Sequence, residues 1–341
     1  MIDISIIIPA YNVEPYISRT LDSVLSQCGS ASVEIIIVDD NSGDGTLGVA
    51  LKYASDFPDI VMVVHHKERC GVGVARSTGK RKARGKYIWF VDGDDVILLG
   101  SIALLKKCIE RAPDIIAFRY AKFSSEDDLP VVSKKKPESD VAEYNTTIRQ
   151  DARVAFDRLG GNVWACNALY RNEFIASIDF KSYCNGEDVL FGFEAILKAT
   201  RIMQIDDMLY GYYTREGSAV RQISERHLKS VMAVARELKS LFNKEPYQTL
   251  YDGLIRRKID GIMLNSIYNV ADKLGAPGYS IWISAAKDVY GENFALKLGW
   301  QWLIRLVYFY PIAIKKFLLN ISVVNRVNNI KNLIRGHILY K

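Results

Sequence analysis

Short β-branched runs alternate with stretches of helical period through the first 120 residues. Residues 4–8, Ile-Ser-Ile-Ile-Ile, read as a core strand, and Pro9-Ala10-Tyr11-Asn12 breaks it. Ile17, Leu21, Val24 and Leu25 then recur at three and four, which predicts a helix over 14–27. A second strand is predicted at 34–38, ending in Asp39-Asp40-Asn41-Ser42. The turn Gly43-Asp44-Gly45-Thr46 and a helix from 47 follow it. The same reading gives a strand at 60–64, a helix from Gly71 to near Gly85 and a strand at 87–91. A helix at 101–111 and a strand at 114–120 close the series. Strand and helix in alternation at these lengths predict an α/β fold: a mostly parallel sheet with right-handed crossovers, flanked by helices.

In such sheets a ligand lies beyond the carboxyl ends of the strands. Three polar clusters sit just there: Tyr11-Asn12, Asp39-Asp40, and the run Asp92-Gly93-Asp94-Asp95. They are predicted to converge on one crevice although the sequence separates them by up to about eighty residues. The last cluster packs three acids into four positions, where like charges repel and an unpaired carboxylate is costly away from water. A hard divalent cation, Mg2+ or Mn2+, would relieve both, since such ions take carboxylate and phosphate oxygens. The bland alternative is a solvated acidic turn.

Further on, residues 124–147 are polar and read as a loop, 151–159 as a short helix, and 162–171 as an apolar, aromatic stretch. Gly186-Glu187-Asp188 opens an apolar helix running to about 199. Acids in a first turn are also what simple capping requires. Strands are predicted at 201–206 and 208–213, followed by a loop that carries Arg215 and Arg221. From 224 onward the pattern is helical. The longest apolar stretch, 303–324, is interrupted by Arg305, Pro311, Lys315 and Lys316, which disfavours a spanning helix.

At 341 residues, with 49% hydrophobic and 25% charged positions, the chain can bury a sizeable core. Five cysteines, an odd number in no zinc-type spacing, fit reduced thiols in the cytosol. Only four histidines occur, so a histidine-based metal site or base is not favoured. The net charge of +6 is uneven: residues 293–341 hold eight Lys and Arg and no acid, which leaves −2 for residues 1–292. This excess at one end argues against a nucleic-acid surface and for an anionic partner of the tail.

Several blocks together resemble the family 2 inverting glycosyltransferases of the bacterial capsule, exopolysaccharide and O-antigen type. They are Ser5-Ile-Ile-Ile-Pro-Ala-Tyr-Asn12, Glu34-Ile-Ile-Ile-Val-Asp-Asp-Asn-Ser42, Gly71-x4-Arg76-x2-Gly79, Asp92-Gly-Asp-Asp95, Glu187-Asp188 and Tyr213-x-Arg215-x2-Ser218. The resemblance spans residues 3–222 in order. It implies a GT-A catalytic domain over 1–222 and leaves 223–341 as a helical C-terminal region.

The resemblance also implies roles. Tyr11 would lie against a uracil ring, and Asp40, with Asp39 beside it, would accept the uracil N–H. Pro9, Asn12 and Gly93 belong to the same nucleotide-sugar site. Arg76 would neutralise the diphosphate or lean on the base. Asp94 and Asp95 would hold the ribose and the metal, Mn2+ or Mg2+, and Asp92 the donor sugar or metal. Asp188 matches the catalytic base, with Glu187 its neighbour, and Arg215 and Arg221 would close over the diphosphate. A late-loop histidine ligand and the Gln-x-x-Arg-Trp block of processive relatives are absent, which implies a nonprocessive enzyme. The implied donor is a UDP-sugar, and the implied acceptor a saccharide or polyprenyl-linked saccharide. The expected location is cytoplasmic, peripheral on the inner face of an anionic membrane. Two other readings compete. A nucleotidyltransferase would carry a Gly-rich basic loop after the first strand. A catalytically silent sugar-nucleotide-binding or scaffold protein would have no need of Asp94, Asp95 and Asp188 together.

Overall fold

The structure is a computed structural model. It describes residues 2–28, 32–125, 141–145, 154–155, 164–182, 186–214, 224–243, 254–266, 272–274 and 276–291. Two compact units share the chain: Met1–Gln222 with Glu237–Ile259, and Ile223–Arg236 with Asp260–Lys341.

The first unit begins β1 (Ile4–Ala10), α1 (Glu14–Leu25), β2 (Val33–Asp39), α2 (Thr46–Asp56), β3 (Val61–His65), α3 (Val72–Lys82) and β4 (Tyr87–Phe90). Every residue of β1, β2 and β4 is buried, as unbroken β-branched and aromatic runs require when helices cover both sheet faces. These four strands run parallel in the order β3-β2-β1-β4. Helix α1 turns Ile17, Thr20, Leu21 and Val24 inward, one stripe at helical spacing.

There follow β5 (Val96–Ile97), α4 (Ser101–Ile109), β6 (Ile115–Phe123), β7 (Val141–Asn145), β8 (Ala168–Arg171), α5 (Asn172–Ile175), α6 (Glu187–Lys198) and β9 (Arg201–Tyr213). The strands described form one sheet in the order β3-β2-β1-β4-β8-β6-β9-β5, with β7 also paired to β9. Beyond β4 the sheet is mixed: β8 lies antiparallel to both β4 and β6, while β6 and β9 are parallel. An antiparallel neighbour needs no helical crossover, so β8 enters as four residues between β4 and β6.

Three sequence readings change. Residues 124–147 contain β7 and are not all loop. Residues 162–171 include the inserted strand β8. The two strands expected at 201–213 are one, and β9 carries extra residues where its register with β6 shifts between Ala117 and Tyr120. The short helix expected at 151–159 lies outside the described residues except at 154–155. Arg215, Arg221 and the tail from 293 lie outside them too.

The helical remainder holds α7 (Glu225–Phe242), α8 (Leu254–Ser266), α9 (Asp272–Leu274) and α10 (Ala276–Tyr290). Within the second unit Met263, Trp282, Ala285 and Ala286 are buried, and the Trp282 indole donates to the Met263 carbonyl at 2.8 Å. Arg236 pairs with Asp288 at 2.7 Å. No described helix is long and apolar enough to cross a membrane.

Candidate active site

The strand ends bring the polar clusters together through backbone register. Ala10 lies opposite Asp39, the Asp40 N–H donates to the Ala10 carbonyl at 2.8 Å, and the Val91 N–H donates to Ile7 at 2.9 Å. Pro9 therefore lies within β1, beside Val38, and the strand runs to Ala10 instead of breaking at Pro9. Asn12, at a φ of 52°, joins two loops: its N–H donates to Ser42 Oγ at 3.1 Å and its Oδ1 accepts from the Gly43 N–H at 2.8 Å. Tyr11 is half-buried, with the Arg69 guanidinium 4.0 Å from its ring centroid. Such cation–π contacts leave the opposite ring face available.

Asp39 is fully buried. Its Oδ2 meets His65 Nδ1 at 2.8 Å and the Ser42 N–H at 3.3 Å, and its Oδ1 is buried without a hydrogen-bond partner among the described residues. Asp40 is held harder. Oδ1 meets His66 Nδ1 at 2.8 Å and the Cys70 N–H at 2.9 Å, and Oδ2 accepts from the Gly71 N–H at 2.7 Å.

The three acids after β4 divide into different environments. Asp95 is buried; the Tyr210 hydroxyl donates to its Oδ2 at 2.5 Å and the Tyr213 N–H to its Oδ1 at 2.7 Å. Burial, then the charges of Asp94 and Asp92, hold its carboxyl well above the usual range. The Tyr210 oxygen also receives the Asp92 N–H at 3.2 Å, so β9 fixes both ends of the turn. Helix α1 fixes the middle: the Thr20 hydroxyl donates to the Asp95 carbonyl at 2.7 Å, and Arg19 Nη2 donates to the Asp94 carbonyl at 2.9 Å. The Arg19 guanidinium sits 4.4 Å from the Tyr213 ring centroid and 5.2 Å from that of Phe123. Gly93 passes so close to β1 that a Cβ would lie 3.2 Å from the Pro9 carbonyl.

Arg76 joins this turn to α6. Its Nη2 donates to Asp92 Oδ1 and its Nη1 to Glu187 Oε1, both at 2.7 Å, and the side chain is 5% exposed. Burial opposes the guanidinium charge, but Asp92, Glu187 and Asp188 outweigh it and hold Arg76 protonated. Burial pushes Glu187 up to about 7, with Asp188 adding to the rise and Arg76 opposing it. Burial also raises Asp188, against the pull of Arg76. Asp188 Oδ1 accepts from the Val189 N–H at 2.8 Å, so the residue caps its own helix as well as facing this charged group. Lys258 lies 5.3 Å above the Phe193 ring of α6; burial lowers its pKa and Asp188 counters that.

Of the residues picked from sequence, Asp92, Arg76 and Glu187 are in direct contact. Asp94 and Asp95 belong to the same turn, and Tyr11, Asn12, Asp39 and Asp40 gather beside it at the ends of β1 and β2. Arg19, Thr20, Arg69, Tyr210 and Lys258 are parts of this neighbourhood that sequence reasoning missed. None carries a motif, and only the fold brings them near.

Residues 5–178 match the model of glycosyl transferase family 2. The chain belongs to glycosyl transferase family 2. Among its family 2 relatives is the uncharacterized glycosyltransferase EpsJ of Bacillus subtilis, 35% identical over 61% of this chain and 60% of EpsJ. The poly(ribitol-phosphate) beta-glucosyltransferase of Bacillus spizizenii is 31% identical over 62% of this chain and 32% of its own length. The match thus spans less than two thirds of either relative. The fold is the GT-A fold of Staphylococcus aureus TarS, whose 1–349 fragment was solved with UDP-GlcNAc. That structure superposes with a TM-score of 0.70 at 22% identity, over 96% of this chain and 92% of that one.

Proposed function

We propose that this family 2 chain is a metal-dependent, inverting, nonprocessive glycosyltransferase. It moves a hexose-type sugar from a UDP-sugar to a saccharide or lipid-linked saccharide in cell-surface polysaccharide synthesis. The observation that carries the reading is the Asp92–Arg76–Glu187 link. Two 2.7 Å ion pairs bind the acidic turn to the helix start that holds Asp188. A donor site and a base are thereby locked into one rigid group. TarS, solved with UDP-GlcNAc, supports a uridine-linked donor.

The uridine end is formed by Tyr11, whose ring stacks on the base, and by Asp39 and Asp40 as acceptors for the base N–H. Asp40 Oδ2 carries a single hydrogen bond among the described residues, so a lone pair is left for that role. Pro9, Asn12 and Gly93 shape the floor by close backbone approach.

Asp94, with Asp92, would hold Mn2+ or Mg2+. Their hard carboxylate oxygens fit such an ion, and each Asp95 oxygen, which accepts one hydrogen bond, keeps a lone pair that would let Asp95 join them. When bound, the ion supplies charge neutralisation of the departing diphosphate. Arg76 is committed to Asp92 and Glu187, so it serves by holding them in place, and Arg215 and Arg221 are the arginines assigned to the diphosphate.

Asp188 takes the proton of the acceptor hydroxyl as that oxygen bonds to the anomeric carbon and the bond to UDP breaks on the opposite face. Desolvation and the nearby Asp92 charge raise its basicity, as the task requires. The test is a panel of nucleotide sugars offered to the full chain with saccharide acceptors, in Mn2+ and in EDTA. Consumption of a UDP-sugar in Mn2+ alone, with the product's anomeric configuration inverted by NMR, is expected. No donor consumed under any condition, with the protein folded, would overturn the proposal.

A further inference from the structure

Two loops at neighbouring strand ends bring unlike donors to one point. Asp40 follows β2, His66 follows β3, and Cys70 precedes α3. One carboxylate oxygen, a ring nitrogen and the thiol sulfur all lie within 4.8 Å of one another. Asp40 is buried while Cys70 faces solvent, so an ion can enter. A carboxylate, an imidazole and a thiolate form a ligand set for zinc, and the sulfur selects against Mg2+ and Mn2+. Tetrahedral bonds of about 2.0 to 2.3 Å place donors roughly 3 to 4 Å apart, so a small inward shift of the exposed Cys70 side chain would close the set around an ion.

The outer contacts are also in place. A ligating imidazole donates its other N–H to a nearby acceptor, and His66 Nε2 lies 3.1 Å from Thr78 Oγ1. The Cys70 and Gly71 N–H groups hold the Asp40 carboxylate in position.

We propose that Asp40, His66 and Cys70 form a cation site, separate from the Asp92–Asp94 pair, that takes a thiophilic divalent ion such as Zn2+. The ion enters between His66 Nδ1 and Asp40 Oδ1. The neutral imidazole keeps one proton, moved from Nδ1 to Nε2, where Thr78 accepts it. The Cys70 thiol loses its proton to solvent, so one proton is released per ion. Three protein ligands leave a fourth position for water. A further consequence rests on the proposed function, which assigns Asp40 to the base: an ion on Oδ1 draws charge from the carboxylate whose Oδ2 accepts the base N–H, so the ion and UDP weaken each other by the same factor.

The test uses Co2+ as a spectroscopic probe of the full-length protein after EDTA treatment. One equivalent should produce a thiolate-to-cobalt absorption band in the near ultraviolet, and Zn2+ should remove it. Cys70→Ser should abolish the band and weaken Zn2+ binding at least tenfold by calorimetry. His66→Gln should weaken binding likewise, and Asp94→Asn should leave the band intact. Cys70 is exposed, so the serine variant should melt as the parent does. A parent protein without the band, or a band that survives Cys70→Ser, would overturn the site. A Cys70-dependent band that UDP fails to reduce would overturn the assignment of Asp40 to the base and leave the cation site standing.

Discussion

Arg76 holds two carboxylates on one guanidinium, and most of that group is out of water. Removing one partner of a buried pair leaves the others uncompensated, at a cost of about 3–5 kcal/mol. Arg76→Met is therefore expected to lower unfolding free energy by about that much in urea titrations. Where the variant still folds, the loss of positive charge should also raise the pKa of Asp188 and move the acid limb of its pH–rate profile upward. Asp188→Asn should cut transfer by about 10^2 to 10^4-fold while UDP affinity stays within a few-fold, measured by product formation and calorimetry. A variant with most of its turnover would make Asp188 a helix cap and nothing more.

Glu187 adds a pH signature. Its folded-state pKa of about 7 lies above the ordinary 4.5, so the folded state binds its proton more tightly than the unfolded state. The stability this contributes is full below about pH 4.5 and is lost as the pH rises through about 7. Glu187→Gln removes the effect, so its stability relative to the parent should improve between pH 5 and pH 7.5 in urea titrations at both values.

At the scale of elements, α1 and α3 do more than cover the sheet. Helix α3 comes so near the segment after α5 that a Cβ on Gly73 would stand 2.4 Å from the Lys181 carbonyl. A backbone oxygen cannot swing aside as a side chain can. Gly73→Ala should therefore push α3 outward and cost about 1–3 kcal/mol in denaturant unfolding. Helix α1 grips the acidic turn by its carbonyls through Thr20 and Arg19, which fixes the backbone that carries Asp94. Arg19→Met should raise the Mn2+ concentration needed for half-maximal UDP binding several-fold. Arg19→Lys, which keeps one donor, should recover part of the loss.

The whole molecule is asymmetric in charge. Eight basic residues and no acid lie in 293–341, together with Trp300, Trp302, Tyr308, Phe309, Tyr310 and Phe317. Aromatic rings bury at a lipid headgroup boundary while basic ends reach the phosphates. Each engaged Lys or Arg contributes about 1 kcal/mol near an anionic leaflet, so three or four suffice for measurable affinity. Full-length protein should co-sediment with anionic vesicles, lose binding as salt rises, and lose most of it when 297–341 is deleted. Indifference to anionic vesicles at low salt would make the tail part of the protein core. A membrane-bound enzyme would meet a lipid-linked acceptor where such acceptors reside.

Much of the fold was legible because burial has a period. Unbroken β-branched runs marked β1 and β2, spacing of three and four marked α1, and polar residues at the ends of three strands marked the crevice. Those signals are local: each is set by which side of a strand or helix faces water. The four residues of β8 and the two of β5 are too short to carry a period, so their places in the sheet came only from neighbours. The partners of the charges were equally hidden. Arg76 finds Glu187 across 111 positions, and Tyr210 finds Asp95 across 115. The sequence by itself determined which groups lie at the mouth of a parallel sheet and to which family the chain belongs. Only the tertiary structure decided that Asp95 is enclosed by tyrosines, that Arg76 binds acids of its own chain, and that His66 and Cys70 meet Asp40. Pairings of this kind depend on distance in space, and a linear pattern of burial does not record distance in space.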